Sequence, residues 1–100
     1  MMRMVLITIE GRQFTGIEVK LPKTNLLAVT TDKGYIMCGA LDVALLNERL
    51  KDRGIVAARA VGVKTLEELM EAPLESVTIE AERLGITPGM KGTQALLRML

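Results

Sequence analysis

Two short stretches of this 100-residue chain carry residue types capable of chemistry: Cys38-Gly39-Ala40-Leu41-Asp42 and Gly62-Val63-Lys64-Thr65. Each follows an apolar run and precedes a helical pattern. A cysteine just ahead of a helix start lies at the positive end of the helix dipole, which favours the thiolate. Gly39 lets the backbone approach a ligand closely. Gly62-x-Lys64-Thr65 offers unpaired main-chain N–H groups at a helix start beside a lysine, the makings of an anion-binding turn. It lacks the contiguous Gly-Lys-Thr and the upstream glycine of a Walker A loop. Structural readings stand beside these. Thr65 is adequately explained as an N-cap and Lys64 as a solvated lysine. Cys38 ends an apolar strand, where a free cysteine packs as a small hydrophobe.

Three further polar features were weighed. Arg59 lies inside an apolar strand; if buried it needs a carboxylate or carbonyl partner, and Asp42 is the candidate. Lys23-Thr24-Asn25 follows a proline and reads as turn chemistry. Residues 65–82 hold six glutamates and no base. That run reads as a solvated helical face, because carboxylates suit first helical turns.

Composition removes several functions. There is no histidine, so the Ser-His-Asp triad, the Cys-His pair and His-ligated metals are excluded. One cysteine excludes an internal disulfide and any Cys-rich metal site. No metal or cofactor is called for. A net charge of +1, with only Phe14 and Tyr35 as aromatics, does not fit a nucleic-acid binder. No apolar run approaches the ~18 residues of a membrane helix, and no export signal is visible. With a free cysteine, these features point to the cytoplasm.

The elements that must position these residues follow from the periodicity. Val5, Ile7 and Ile9 alternate with Leu6, Thr8 and Glu10, and Gly11-Arg12 marks a turn. Phe14–Lys20 alternates again. Leu21–Asn25 reads as a loop, Leu26–Thr31 as a third strand, Asp32-Lys33-Gly34 as a turn and Tyr35–Cys38 as a fourth strand. The first strand is apolar on both faces, with Met4 and Leu6 on the second, so another helix or another subunit must cover one of them. From Asp42 the period turns helical: Val43, Leu46 and Leu50 form a stripe, and Gly54 is the C′ glycine. Ile55–Val61 is a strand, which completes a βαβ unit with parallel strands. Thr65 and Glu68 form a capping box. That helix stops at Ala72, and Pro73 opens another carrying Leu74, Val77, Ala81 and Leu84, ended by Gly85. Thr93 caps a last helix with Leu96, Leu97 and Leu100.

Several stretches resemble the YunC-like family, a bacterial and archaeal domain of unknown function. They are Leu21-Pro22-Lys23-Thr24-Asn25, Gly34–Asp42 (Gly-Tyr-Ile-Met-Cys-Gly-Ala-Leu-Asp), Arg53–Ala57, Arg59–Val63 and Ala72–Val77. The resemblance implies an N-terminal β region that mediates tetramerisation. It implies no reaction and no catalytic residue.

The expectation is a single α+β domain. Residues 1–38 form an antiparallel meander and probable oligomer surface using Met4 and Leu6; residues 39–100 are mixed, with one βαβ unit and helices covering the sheet. The C-terminal ends of the parallel strands meet at one edge, where α/β sheets bind ligands. Cys38, Gly39, Asp42, Arg59, Gly62, Lys64 and Thr65 are the candidate residues there. The expected function is oligomeric binding of a small anion. The alternatives are an enzyme using Cys38 as nucleophile or redox thiol, and a purely structural or regulatory assembly.

Overall fold

The computed structural model describes residues 2–39, 47 and 53–100. A mixed six-stranded sheet runs in the order of the chain: β1 (Met2–Ile9), β2 (Arg12–Leu21), β3 (Thr24–Thr30), β4 (Gly34–Met37), β5 (Val56–Arg59) and β6 (Ser76–Val77). The first four strands form the expected antiparallel meander. β4 and β5 are parallel, pairing Gly34 with Val56 and Met37 with Arg59. Parallel neighbours require a crossover, as the βαβ reading anticipated. The Val43, Leu46 and Leu50 stripe and Asp42 lie outside the described residues. Gly54, at φ +61°, has the left-handed backbone of a C′ glycine.

The connections are tighter than expected. β1 and β2 meet at Glu10-Gly11, both at positive φ (50° and 79°), the geometry of a type I′ hairpin turn. Arg12 is therefore a strand residue paired with Ile9 rather than part of the turn. β2 and β3 are joined by Pro22-Lys23 alone, because Leu21 pairs with Thr24. Proline at the first central position and Lys23 at φ +64° match a type II turn. Thr31 holds the next turn: its hydroxyl accepts from the N–H groups of Lys33 (3.1 Å) and Gly34 (3.0 Å). Gly34 has no room for a side chain, because a Cβ there would strike the carbonyl oxygen of Val56 across the parallel pair.

Three short helices follow: α1 (Leu66–Glu71), α2 (Ile79–Arg83) and α3 (Gly92–Arg98). Thr65 caps α1 as expected, and Glu68 reaches back one residue past the N-cap. Thr65 Oγ1 accepts from Glu68 N–H at 3.0 Å, and the Glu68 carboxylate reaches back to the N–H of Lys64 at 2.7 Å. Pro73 does not open a helix. Residues 73–77 are extended: Leu74 N–H donates to Met90 O, Glu75 N–H donates to Arg59 O, and Ser76–Val77 pairs with β5. Leu74, Val77 and Ala81 are all buried as the helical spacing required. Burial of that spacing was equally available to a strand followed by a helix. The edge of β5 wanted a partner, and Thr78 supplied a cap for a later start. The last helix also begins earlier than Thr93. Lys91 is its N-cap residue, and its N–H donates to Gln94 Oε1. Ala95, Leu96 and Met99 are buried there, while Leu100 is exposed.

All three helices lie on one face of the sheet. Phe14, Leu27, Val29, Ile36, Cys38, Ala58 and Ala60 meet Leu66, Leu69, Ala81, Leu96 and Met99 there. On the opposite face Tyr35, Met37 and Ile55 pack around Ala57. Farther out on that face Met2, Met4 and Leu6 are 67%, 66% and 66% exposed. None of the described helices is long and apolar enough to cross a membrane.

Candidate functional site

A site at the C-terminal edge of β4 and β5 is built by three connections. β3 runs antiparallel to β4, so it starts where β4 ends. The Pro22-Lys23 turn therefore lies at the same edge as Cys38 and the Gly62–Thr65 loop. Between the turn and the loop opens a cavity of about 510 Å³ lined by Leu21, Lys23, Thr24, Asn25, Val63 and Lys64. Among the described residues its lining holds two ammonium groups, a hydroxyl and an amide, and no carboxylate. Leu21 and Val63 add apolar surface.

Lys23 reaches this position at a cost. A non-glycine residue at φ +64° occupies a backbone region that favours glycine, a penalty of about 1 kcal/mol. Lys64 is held from the main chain, where its N–H is taken by the Glu68 carboxylate. At the α1 start Thr65 thus takes the Glu68 N–H and Glu68 takes that of Lys64. What remains directed at a ligand is the charge of the two lysine side chains, both on exposed residues.

Cys38 stands behind the cavity rather than in its lining. The residue is 6% exposed, and its main-chain N–H donates to Leu27 O at 3.0 Å. Its Sγ accepts from Leu27 N–H at 3.4 Å and directs its proton to Asn25 O at 3.8 Å. The thiol thereby ties down the start of β3, including a residue that lines the cavity. Gly39 faces elsewhere: a Cβ there would lie 3.7 Å from Val61 and 3.8 Å from the Arg59 guanidinium. Gly62 is exposed at φ +75° with open space around it.

Arg59 finds its carboxylate in Glu75, at 3.9 Å from Nε, and Ser76 Oγ donates to the same Glu75 oxygen at 2.6 Å. Arg59 Nε is buried and makes no hydrogen bond among the described residues. Asp42, the partner expected from sequence, lies outside them. Of the sequence candidates, Lys64 lines the cavity, Thr65 caps the adjoining helix and Cys38 backs it, whereas Gly39 and Arg59 form a separate neighbourhood with Val61. Lys23, Thr24 and Asn25 were read as turn chemistry and are lining residues. The signal that places them was present: an antiparallel β3–β4 pair puts the start of β3 beside the end of β4. Among the described residues, no group of three or more Cys, Asp or Glu could hold a metal ion.

Comparisons with known proteins agree with this architecture. The family described as "Domain of unknown function (DUF1805)" matches residues 37–99. The uncharacterized protein YunC of Bacillus subtilis (strain 168) is 65% identical over 100 residues, covering 100% of this chain and 99% of the relative. Among solved structures, the crystal structure of TA1206, a protein of unknown function from Thermoplasma acidophilum, superposes with a TM-score of 0.88 at 31% identity, covering 100% of this chain and 94% of that one. With its fold, its Gly34–Asp42 segment and its full length matched in this way, the chain belongs to the YunC-like DUF1805 family.

Proposed function

We propose that this protein is a cytoplasmic homo-oligomer, a tetramer through its N-terminal β region, that binds a small anionic ligand in the cavity between the Pro22-Lys23 turn and the Gly62–Thr65 loop. One observation carries the ligand reading: two lysines from segments distant in sequence line one cavity with no acid among its described lining residues. The strained backbone of Lys23 supports it. Glycine would relax that turn, and the lysine there gains nothing from its backbone conformation, which favours a role for its side chain. The cavity volume falls in the range of small-molecule sites. Assembly is supported by the exposed row Met2, Met4 and Leu6, an apolar surface that a second copy of the chain would bury. The single free cysteine supports a reducing compartment. Cys38 is buried and hydrogen-bonded, which supports binding over thiol catalysis.

The test is thermal unfolding in inorganic phosphate, small organic phosphates and carboxylates, at ionic strength held constant with sodium chloride. An anion at ~100 times its Kd adds about 2.7 kcal/mol. Lys64→Ala is expected to abolish that gain. Lys23→Gly is expected to abolish it while raising the stability of the ligand-free protein by about 1 kcal/mol. Equal stabilisation by every salt, or stabilisation that survives both substitutions, defeats the reading.

A further inference from the structure

A second cavity lies on the helical face, on the β1 side of β2. It measures about 360 Å³ and opens between β1 and α1. Val5 and Ile7 from β1 and Leu66 and Met70 from α1 give it an apolar wall, and Thr65 adds a hydroxyl. Gly16, on β2, lets two of these residues close in. A Cβ at Gly16 would come within 2.7 Å of Ile7 and 3.1 Å of Leu66, so the missing side chain is what lets those two residues settle toward β2. At one end of the cavity is Glu18, a carboxylate on a residue only 8% exposed. It faces Arg3, its cross-strand neighbour, at 3.5 Å. The Arg3 side chain is 59% exposed, whereas that of Glu18 is 11% exposed. One partner of this pair is fixed in the protein and the other stands mostly in water. Glu67, exposed in the first turn of α1, adds a second carboxylate to the rim.

A buried carboxylate is costly without a close cation, and an exposed guanidinium at 3.5 Å is a weak one. Among the described residues the lining carries two acids and one base, so the net charge of its polar part is negative, while Val5, Ile7, Leu66 and Met70 are hydrocarbon or thioether. We propose that this cavity binds a small amphipathic monocation, a primary amine on a hydrocarbon body, whose ammonium replaces Arg3 on Glu18. The apolar body lies along Val5, Ile7, Leu66 and Met70. Arg3 swings into solvent, where most of its side chain already is. Thr65 of this cavity adjoins Lys64 of the other, but the described lining residues are not shared, and different probes and variants test the two readings separately.

The exchange makes Arg3 a competitor, and that gives the test an unusual sign. Isothermal titration of the assembled protein is run with n-hexylamine, 1-hexanol and hexanoate at constant ionic strength. Hexylamine is expected to bind, and the alcohol and the acid at least tenfold more weakly. Arg3→Ala is expected to tighten hexylamine binding several-fold, because the resident cation is gone. Glu18→Gln is expected to weaken it at least tenfold. Should Glu18→Gln unfold, Glu67→Gln at the exposed rim is expected to weaken binding two- to threefold. Equal binding of hexylamine and hexanol would mean an apolar groove alone and overturns the proposal. So does tighter binding of hexanoate, unchanged or weaker binding in Arg3→Ala, or no heat with any of the three probes.

Discussion

Thr78 offers the sharpest test of how this fold is held. The residue is 1% exposed and its hydroxyl makes three bonds. It donates to Ile55 O at 2.8 Å and accepts from Ala57 N–H at 3.1 Å and Ala81 N–H at 3.2 Å. Its main-chain N–H adds a bond to Ala57 O at 2.9 Å. One side chain therefore joins the start of β5 to the start of α2. Thr78→Val keeps the shape and removes the hydroxyl. The α2 cap is lost, at about 1 kcal/mol. Ala57 N–H is left buried without a partner, at about 1–3 kcal/mol. Ile55 O loses a donor but is only part-buried, so it adds less. The total is about 3 kcal/mol, a large share of the ~5–15 kcal/mol that holds a domain together. Thr78→Ser keeps all three bonds and loses one methyl, at about 1 kcal/mol. Urea denaturation of both variants, at one protein concentration so that assembly contributes equally, gives the comparison. A Thr78→Val cost below ~1 kcal/mol, or a serine variant as damaged as the valine one, refutes the assignment of stability to the hydroxyl.

Three other outcomes are expected. Leu6→Lys puts a charge into the exposed apolar row of β1, and sedimentation should show smaller species than the parent; unchanged sizes, or a monomeric parent, defeat the assembly reading. Gly92→Ala should lower the urea midpoint although alanine is the better helix former by about 1 kcal/mol. Its Cβ would lie 2.7 Å from Leu69 O and 3.0 Å from Met70 O, backbone atoms that cannot yield, an overpacking cost of about 1–3 kcal/mol. The Cys38 thiol should resist alkylation in the native protein and react on unfolding; rapid native alkylation, slowed by Lys64→Ala, would restore the reactive-thiol reading.

Most of the fold was legible because local chemistry and tertiary need coincide. The alternation of Val5, Ile7 and Ile9 fits one half-buried face, and the register with β2 places them inward as read. Thr65 and Glu68 cap α1 through contacts spanning four residues, which no tertiary partner overrides. The segment 73–78 failed for the opposite reason. Leu74, Val77 and Ala81 have helical spacing, and Pro73 suits a first helical position. The N–H groups of Leu74, Glu75 and Thr78 nevertheless donate to Met90, Arg59 and Ala57, partners that periodicity cannot name. Extended pairing on the β5 edge satisfies backbone groups that a helix beginning at Pro73 would have left open on that strand.

The candidate site shows a different limit. The rule that ligands sit at the C-terminal ends of parallel strands located the edge and selected Lys64. It treated β4 and β5 as the whole of that edge. The meander had already been read, and an antiparallel β3 must begin where β4 finishes; Cys38 N–H bonds to Leu27 O in consequence. Hence the turn preceding β3 had to arrive at the same place, bringing Lys23, Thr24 and Asn25 with it. That inference needed only strand directions. What strand directions could not supply is which side chains fill the core and which remain free. Cys38 lies on the inward face of β4 beneath Leu27, so its thiol packs and bonds to main chain. Lys23 sits in a turn whose backbone favours glycine, so its charge is held at the rim with no burial to gain. Burial draws the thiol away from solvent, while Lys23 and Lys64 stay exposed, and for that reason the proposed anion site rests on the two lysines rather than on the cysteine.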